Sequence, residues 1–236
     1  MATPAGIDYL VITGGSAGIG LATARRFAAT GTRVINLSRQ PIPLEGAIHI
    51  HADFADPTWA DAVGTALADH LPDSARLCLV HNAAHKGAGS TTELTAEAMR
   101  ACLEINSVAP AVLNLLLLPR MAPGSSILYV GSTLSYRATR GMAAYIMSKH
   151  ALAGLMRATA QDLAGQRIHT ACICPGFTNT EMLRSYGGAA LEHLASLLTQ
   201  GRLIEPEEIA ETLFYAAGNP VINGSMILAE LGFIEP

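Results

Sequence analysis

The chain has 236 residues, enough for one large α/β domain with a substantial core, and its balance of 50% hydrophobic to 14% charged residues is apolar for a monomer. A formal net charge of -4 offers no basic field for nucleic acid or an anionic membrane surface. The most apolar run, residues 113–118, is closed by Pro119 and Arg120, well short of the ~20 residues that span a bilayer, so neither nucleic acid nor membrane is expected as a partner.

Residues 9–13, Tyr-Leu-Val-Ile-Thr, read as a buried parallel strand, and the glycine-rich stretch 14–20 behind them runs into a helical pattern through Leu21, Ala24, Phe27 and Ala28. Strand, glycine turn and helix in that order let backbone N–H groups approach a pyrophosphate at the positive end of a helix dipole. Gly14, Ser16, Ala17, Gly18, Ile19 and Gly20 are therefore candidate dinucleotide contacts. Residues 33–38 form the second strand, whose end in an NAD site carries an acid for the adenosine ribose. Here no Asp or Glu occurs between Gly20 and Gln40, and the strand ends in Ser38 and Arg39, a hydroxyl and a guanidinium suited to a 2′-phosphate. NADP(H) is expected over NAD(H).

Residues 48–51 alternate as a half-exposed edge strand leading to Asp53 and Phe54. Next, Asp56 is expected to cap a helix with Pro57 in its first turn. His49 and His51 have no third ligand near them in sequence, so no metal is assigned. Residues 77–81 make the fourth strand, followed by Asn82, Ala83 and Ala84, small residues where backbone passes close to a ligand or another strand. A long helix is expected over 95–118, with Asn106 in its middle. Pro110 lacks the N–H that would bond the Asn106 carbonyl.

A fifth strand, 127–130, ends at Gly131 and Ser132, and a loop leads to the helix that carries Tyr145 and Lys149. Four residues apart on a helix, a phenol and an ammonium share a face, and an adjacent positive charge favours phenolate, which suits Tyr145 to general acid/base work. A sixth strand, 169–174, stops at Pro175 and Gly176. The loosely patterned segment 177–200 reads as a mobile substrate lid, 205–208 opens a capped helix, and 225–228 is the last strand. Cys78, Cys102, Cys172 and Cys174 are too few and scattered for a disulfide scaffold, and with no signal peptide ahead of the first strand a reducing cytoplasm is expected.

In this order the residues closely resemble the short-chain dehydrogenase/reductase family over essentially the whole length. The matching signatures are Thr13, Gly14, Gly18 and Gly20; Asn82-Ala83-Ala84 in place of the usual Asn-Ala-Gly; Asn106; Ser132; Tyr145 and Lys149; and Pro175-Gly176 with Thr180. The resemblance implies a single doubly wound Rossmann domain whose seven parallel strands run 3-2-1-4-5-6-7. It implies that Tyr145 is the acid/base, that Lys149 holds the nicotinamide ribose and lowers the Tyr145 pKa, that Ser132 hydrogen-bonds the substrate oxygen, and that Asn106 binds a relay water. It places Asp53 and Phe54 at adenine, Asn82, Ala83 and Ala84 around the adenosine ribose, and Pro175, Gly176, Thr178 and Thr180 at the nicotinamide or phosphates. His81, Ala84 and Thr178 depart from the family's commonest residues, and none of these changes removes chemistry.

The expected activity is hydride transfer between NADP(H) and the ketone or secondary alcohol of a small, mainly apolar substrate. The alternatives are an NAD(H)-dependent alcohol dehydrogenase of the same family and a non-catalytic dinucleotide-binding regulator, which would be expected to lose Tyr145 or Lys149. Leu134, Met142, His85, Phe177 and Tyr186 point to an apolar pocket, while Arg137, Arg140 and Arg184 face either an anionic group or, as exposed arginines more often do, water. Leu115, Leu116, Leu155 and Met156 put apolar residues on second helix faces and predict a homodimer or homotetramer.

Overall fold

Strands that are apolar on both faces can be buried only between two layers of helix, and the chain folds in that way. In the computed structural model, which describes residues 6–234, the strands are β1 (Tyr9–Thr13), β2 (Arg33–Ser38), β3 (Ile48–His51), β4 (Leu77–His81), β5 (Ser126–Val130), β6 (His169–Pro175) and β7 (Ser225–Ala229). They form one parallel sheet in the order β3-β2-β1-β4-β5-β6-β7, as expected. The order reverses between β1 and β4, which opens a crevice beyond the carboxyl ends of these two strands. Strand ends move by one residue from the sequence reading. Ser126 joins β5, and Pro175 and Ala229 pair with each other at the ends of β6 and β7, where a proline costs no ladder bond.

The helices are α1 (Gly18–Ala28), α2 (Trp59–His70), α3 (Ala96–Leu103), α4 (Ala109–Leu117), α5 (Ala143–Asp162), α6 (Glu181–Arg184), α7 (Gly188–Ser196) and α8 (Pro206–Ala217). Val11, Leu37, Leu79, Ile127 and Tyr129 pack on one face of the sheet with Trp59, Val63, Leu113, Leu117 and Leu152 from α2, α4 and α5. On the other face Leu10, Ile12, Val80 and Leu128 meet Ala24, Phe27, Leu213 and Phe214 from α1 and α8. Met156 belongs to the first core and is buried, against the expectation of an outer face. Leu116 and Leu155 are half-buried, and Leu115 alone of that group stands out, 72% exposed.

The expected helix over 95–118 is built in three parts. The Thr95 hydroxyl accepts from the Ala98 N–H at 3.2 Å and caps α3, a π-helical turn fills Glu104–Val108, and α4 completes the run. The Ala109 N–H reaches back five residues to the Glu104 carbonyl, and Pro110 has no N–H to donate, so the helical register changes where Asn106 sits. Residues 96–120 are long and apolar enough by composition to cross a membrane. Cys102, Ala109, Leu113 and Leu117 are nonetheless core residues, and Asn106 and Asn114 hydrogen-bond inside the protein. Asp56 does not cap a helix. Its carboxylate closes a turn by accepting from the Thr58 N–H at 2.8 Å and hydroxyl at 2.7 Å, and α2 starts only at Trp59.

Candidate active site

The glycine turn is shaped by contacts that exclude side chains. Gly14 and Gly18 have φ of +68° and +52°, and a Cβ on Gly20 would stand 2.2 Å from the Gly14 carbonyl oxygen. The Gly15 N–H donates to Asn36 Oδ1 at 2.8 Å, which ties the turn to β2. Ala17, the residue before α1, makes no side-chain cap, and the first turn of α1 carries no acid. The helix therefore presents its first-turn N–H groups and positive end without a competing side chain, a fit for a pyrophosphate. Thr180 closes over this turn, its Cγ2 3.1 Å from where a Gly18 Cβ would be.

The carboxyl end of β4 is locked to β1. Asn82 Nδ2 donates to the Thr13 and Gly14 carbonyls, both at 3.0 Å, while the Thr13 hydroxyl accepts from the N–H groups of Asn82 and Ala83 at 2.9 Å. The Asn82 amide is thus committed to shaping the crevice, and Ala83 and Ala84 leave half-buried backbone at its edge. At the far end Arg39 is exposed beside the end of β2. Ser38 differs from its expected role: its hydroxyl donates to the Gln40 carbonyl at 2.6 Å and accepts from Asn36 Nδ2 at 2.8 Å, which leaves Arg39 as the group facing outward. Asp53 is half-buried with its carboxylate on the Ala55 N–H. The Phe54 ring turns away into the core and packs edge-on against Trp59 at 5.0 Å.

Asn106 joins three elements. Its Oδ1 accepts from the His85 N–H at 2.7 Å and its Nδ2 donates to the His85 carbonyl at 2.9 Å and to Ser148 Oγ at 2.9 Å. Ser148 Oγ in turn donates to the Tyr145 carbonyl at 2.8 Å. The π turn therefore fixes the loop after β4 and the first turn of α5 in one network. Ser132 follows β5, and its hydroxyl accepts from the Leu134 N–H at 3.1 Å as the cap of a short 3-10 turn.

Tyr145 is half-buried and Lys149 is 2% exposed. Burial pushes the Tyr145 phenol up to about 12, against a hydrogen bond with the Ser132 side chain that pulls it down. Burial also brings the Lys149 ammonium down to about 8, with the nearby Cys172, Cys174 and Cys102 acting the other way. Lys149 Nζ lies 5.5 Å from the Tyr145 ring centre and donates to the Val130 carbonyl at 2.7 Å, and desolvation is the largest influence on the phenol. Pro175 and Gly176 end β6. A Cβ on Gly176 would meet the Glu230 backbone at 2.9 Å, and Thr178 is buried with its hydroxyl on the Gly176 carbonyl.

The segment 177–200 holds α6 and α7 and is tied down at both ends. Ile204 N–H donates to the Phe177 carbonyl and Asn179 N–H to the Ile204 carbonyl, while Leu198 bridges to Phe233. Sequence reasoning passed over Lys86, which lies over the Tyr186 ring, and Glu230, which takes the Tyr136 hydroxyl and pairs with Arg137 at 3.8 Å. Both pairings join segments far apart in sequence, and neither has a motif to mark it. Among the described residues no group of three or more His, Cys, Asp or Glu side chains is placed to hold a metal.

The sequence model described as short chain dehydrogenase matches residues 8–189. The cyclic-di-GMP-binding biofilm dispersal mediator protein of Escherichia coli is 33% identical over 217 residues, which cover 89% of this chain and 89% of that protein. Among solved structures, a short-chain dehydrogenase/reductase from Serratia marcescens superposes with a TM-score of 0.87 at 30% identity, covering 98% of this chain and 99% of that one. The crystal structure of BdcA in complex with NADPH superposes at 0.82 with 29% identity, covering 97% and 96% of the two chains.

Proposed function

The chain belongs to the short-chain dehydrogenase family, and from that premise we propose that it moves hydride between NADP(H) and the ketone or secondary alcohol of a small, mainly apolar substrate. The observation that carries the reading is the convergence of Ser132, Tyr145 and Lys149 at the carboxyl end of β5 and the start of α5, beside an uncapped α1 and a side-chain-free glycine turn. A nicotinamide cofactor, when bound, supplies the hydride. Ser132 and Tyr145 hold the substrate oxygen through their hydroxyls, and a phenol whose pKa is near 12 is protonated at neutral pH, ready to give its proton to an oxygen gaining negative charge. Lys149, held on the Val130 carbonyl, would hold the ribose of that cofactor, and Asn106 keeps the loop after β4 and the first turn of α5 in register.

The preference for NADP(H) rests on Arg39 and on the lack of an acid at the end of β2. Residues 177–200 act as the substrate lid of a single domain. Exposed Leu115, Val108 and Met147 on α4, the π turn and α5 support a homodimer or homotetramer, and four free, buried cysteines suit a reducing cytoplasm. The test is turnover of a carbonyl and alcohol panel with both cofactors by the natural chain and by Tyr145→Phe. The variant loses at least ~10²-fold in kcat if the phenol is the acid/base, and full activity in it overturns the reading.

A further inference from the structure

Lys86 occupies a loop position that is pinned on both sides. Immediately before it the His85 backbone is held at its N–H and its carbonyl by Asn106. Immediately after it Gly87 packs so closely on α5 that a Cβ there would lie 3.1 Å from the Cβ of Ala144, the neighbour of Tyr145. From this place the Lys86 ammonium lies over the Tyr186 ring, between α6 and α7, at 3.4 Å from its centre. Its charge acts on the Tyr145 phenol and favours phenolate. The contact of Gly87 with Ala144 puts the Lys86 loop beside the start of α5, and Tyr186 is held there through Lys86.

An ammonium has three N–H donors, and an aromatic face satisfies one side of it. No ion pair or hydrogen bond among the described residues engages the others. Arg137, another cation of these loops, is already paired with Glu230 and lies over the Phe233 ring at 4.6 Å. Lys86 is half-buried, so a neutral substrate would cover it without replacing the water it loses, whereas an anion would receive charge-assisted hydrogen bonds there.

We propose that Lys86 is a specificity-determining residue that binds a carboxylate on the substrate, a few bonds from the reacting carbonyl or carbinol carbon, with Tyr186 holding the ammonium in place from the lid. The inference rests on the oxidoreductase reading above and names the substrate class of that same site.

The test compares keto acids having one to three methylenes between ketone and carboxylate with their methyl esters, using the natural chain, Lys86→Met, Lys86→Arg, Tyr186→Phe and Tyr186→Leu. In the natural chain kcat/KM favours at least one acid over its ester, and in Lys86→Met the acid-to-ester ratio falls roughly ten- to a hundredfold, the loss expected for a charge-assisted contact. Lys86→Arg restores most of the ratio, and Tyr186→Phe keeps it better than Tyr186→Leu. A ratio unchanged in Lys86→Met, or esters preferred throughout by the natural chain, overturns this inference and leaves the oxidoreductase reading standing. No turnover of any acid, ester, ketone or alcohol by the natural chain overturns that reading and this inference with it.

Discussion

The Lys149 ammonium stands 5.5 Å from the centre of the Tyr145 ring and donates away from it, to the Val130 carbonyl at 2.7 Å. Its charge is held by a strand-end carbonyl beneath the site. Burial sets its pKa at about 8 and that of Tyr145 at about 12, so in the alkaline range Lys149 is the first of the pair to change charge. With the Lys149 cation required, kcat/KM for ketone reduction holds through neutral pH and falls about tenfold per unit as pH rises above about 8. Lys149→Arg, which stays charged, moves that fall to higher pH. A pH profile of both proteins over the alkaline range checks this, and a fall at the same pH in the two assigns it to another group.

Asn106→Ala removes the partner of the His85 N–H and carbonyl at a part-buried place and a donor to the buried Ser148 hydroxyl, which keeps its bond to the Tyr145 carbonyl. The expected cost is about 2–3 kcal/mol of stability, read from the denaturant midpoint at unchanged slope. Asn106→Asp keeps an acceptor for the His85 N–H and loses both donors, so it ranks at least as low in activity.

His81 starts a buried chain of donors with one consistent direction. Thr159 Oγ1 donates to the Leu155 carbonyl, Tyr129 Oη lies 3.2 Å from Thr159 Oγ1, Asn114 Nδ2 donates to Tyr129 at 2.8 Å, and Asn114 Oδ1 therefore faces His81 Nε2 at 2.9 Å and makes it the protonated nitrogen. Nδ1 is buried with no partner among the described residues, and burial lowers the His81 pKa to about 4. The unfolded chain binds the proton first, so this contribution to stability is fully present above pH 6.5 and is lost as pH falls toward 4, about 3 kcal/mol over the window. Urea unfolding at pH 7 and pH 4.5 gives a smaller difference in His81→Asn than in the natural chain.

Arg39→Ala removes the exposed cation beside the end of β2. The ratio of kcat/KM with NADPH to that with NADH shrinks roughly ten- to a hundredfold in the variant, a charge-assisted contact's worth. A natural chain that prefers NADH assigns Arg39 to solvent.

Leu115 is 72% exposed on α4. Leu115→Glu puts a charge into the proposed contact between copies and lowers the mass seen by light scattering from a multiple of the chain toward the single chain. A natural chain already monomeric at micromolar concentration removes that contact from the account.

Sequence alone determined the strands, the glycine turn and the pairing of Tyr145 with Lys149, because each rests on local pattern, while the strand order came with the family resemblance that these motifs carry. Apolar runs bounded by glycine, a glycine turn between strand and helix, and two reactive side chains one helical turn apart are all visible within a few positions. The tertiary structure decided what depends on the environment of a side chain. Met156 looks like an interface residue in sequence but fills the core, Phe54 packs its ring on Trp59, and Ser38 donates its hydroxyl to a neighbouring carbonyl. The Tyr145 pKa is raised because desolvation, which needs the folded surroundings to be known, outweighs the hydrogen bond with Ser132, while the Lys149 ammonium donates to the Val130 carbonyl. Lys86 meets Tyr186, and Glu230 meets Tyr136 and Arg137, only because the loops at the carboxyl ends of the strands converge, and such meetings between distant segments follow no spacing that a sequence displays.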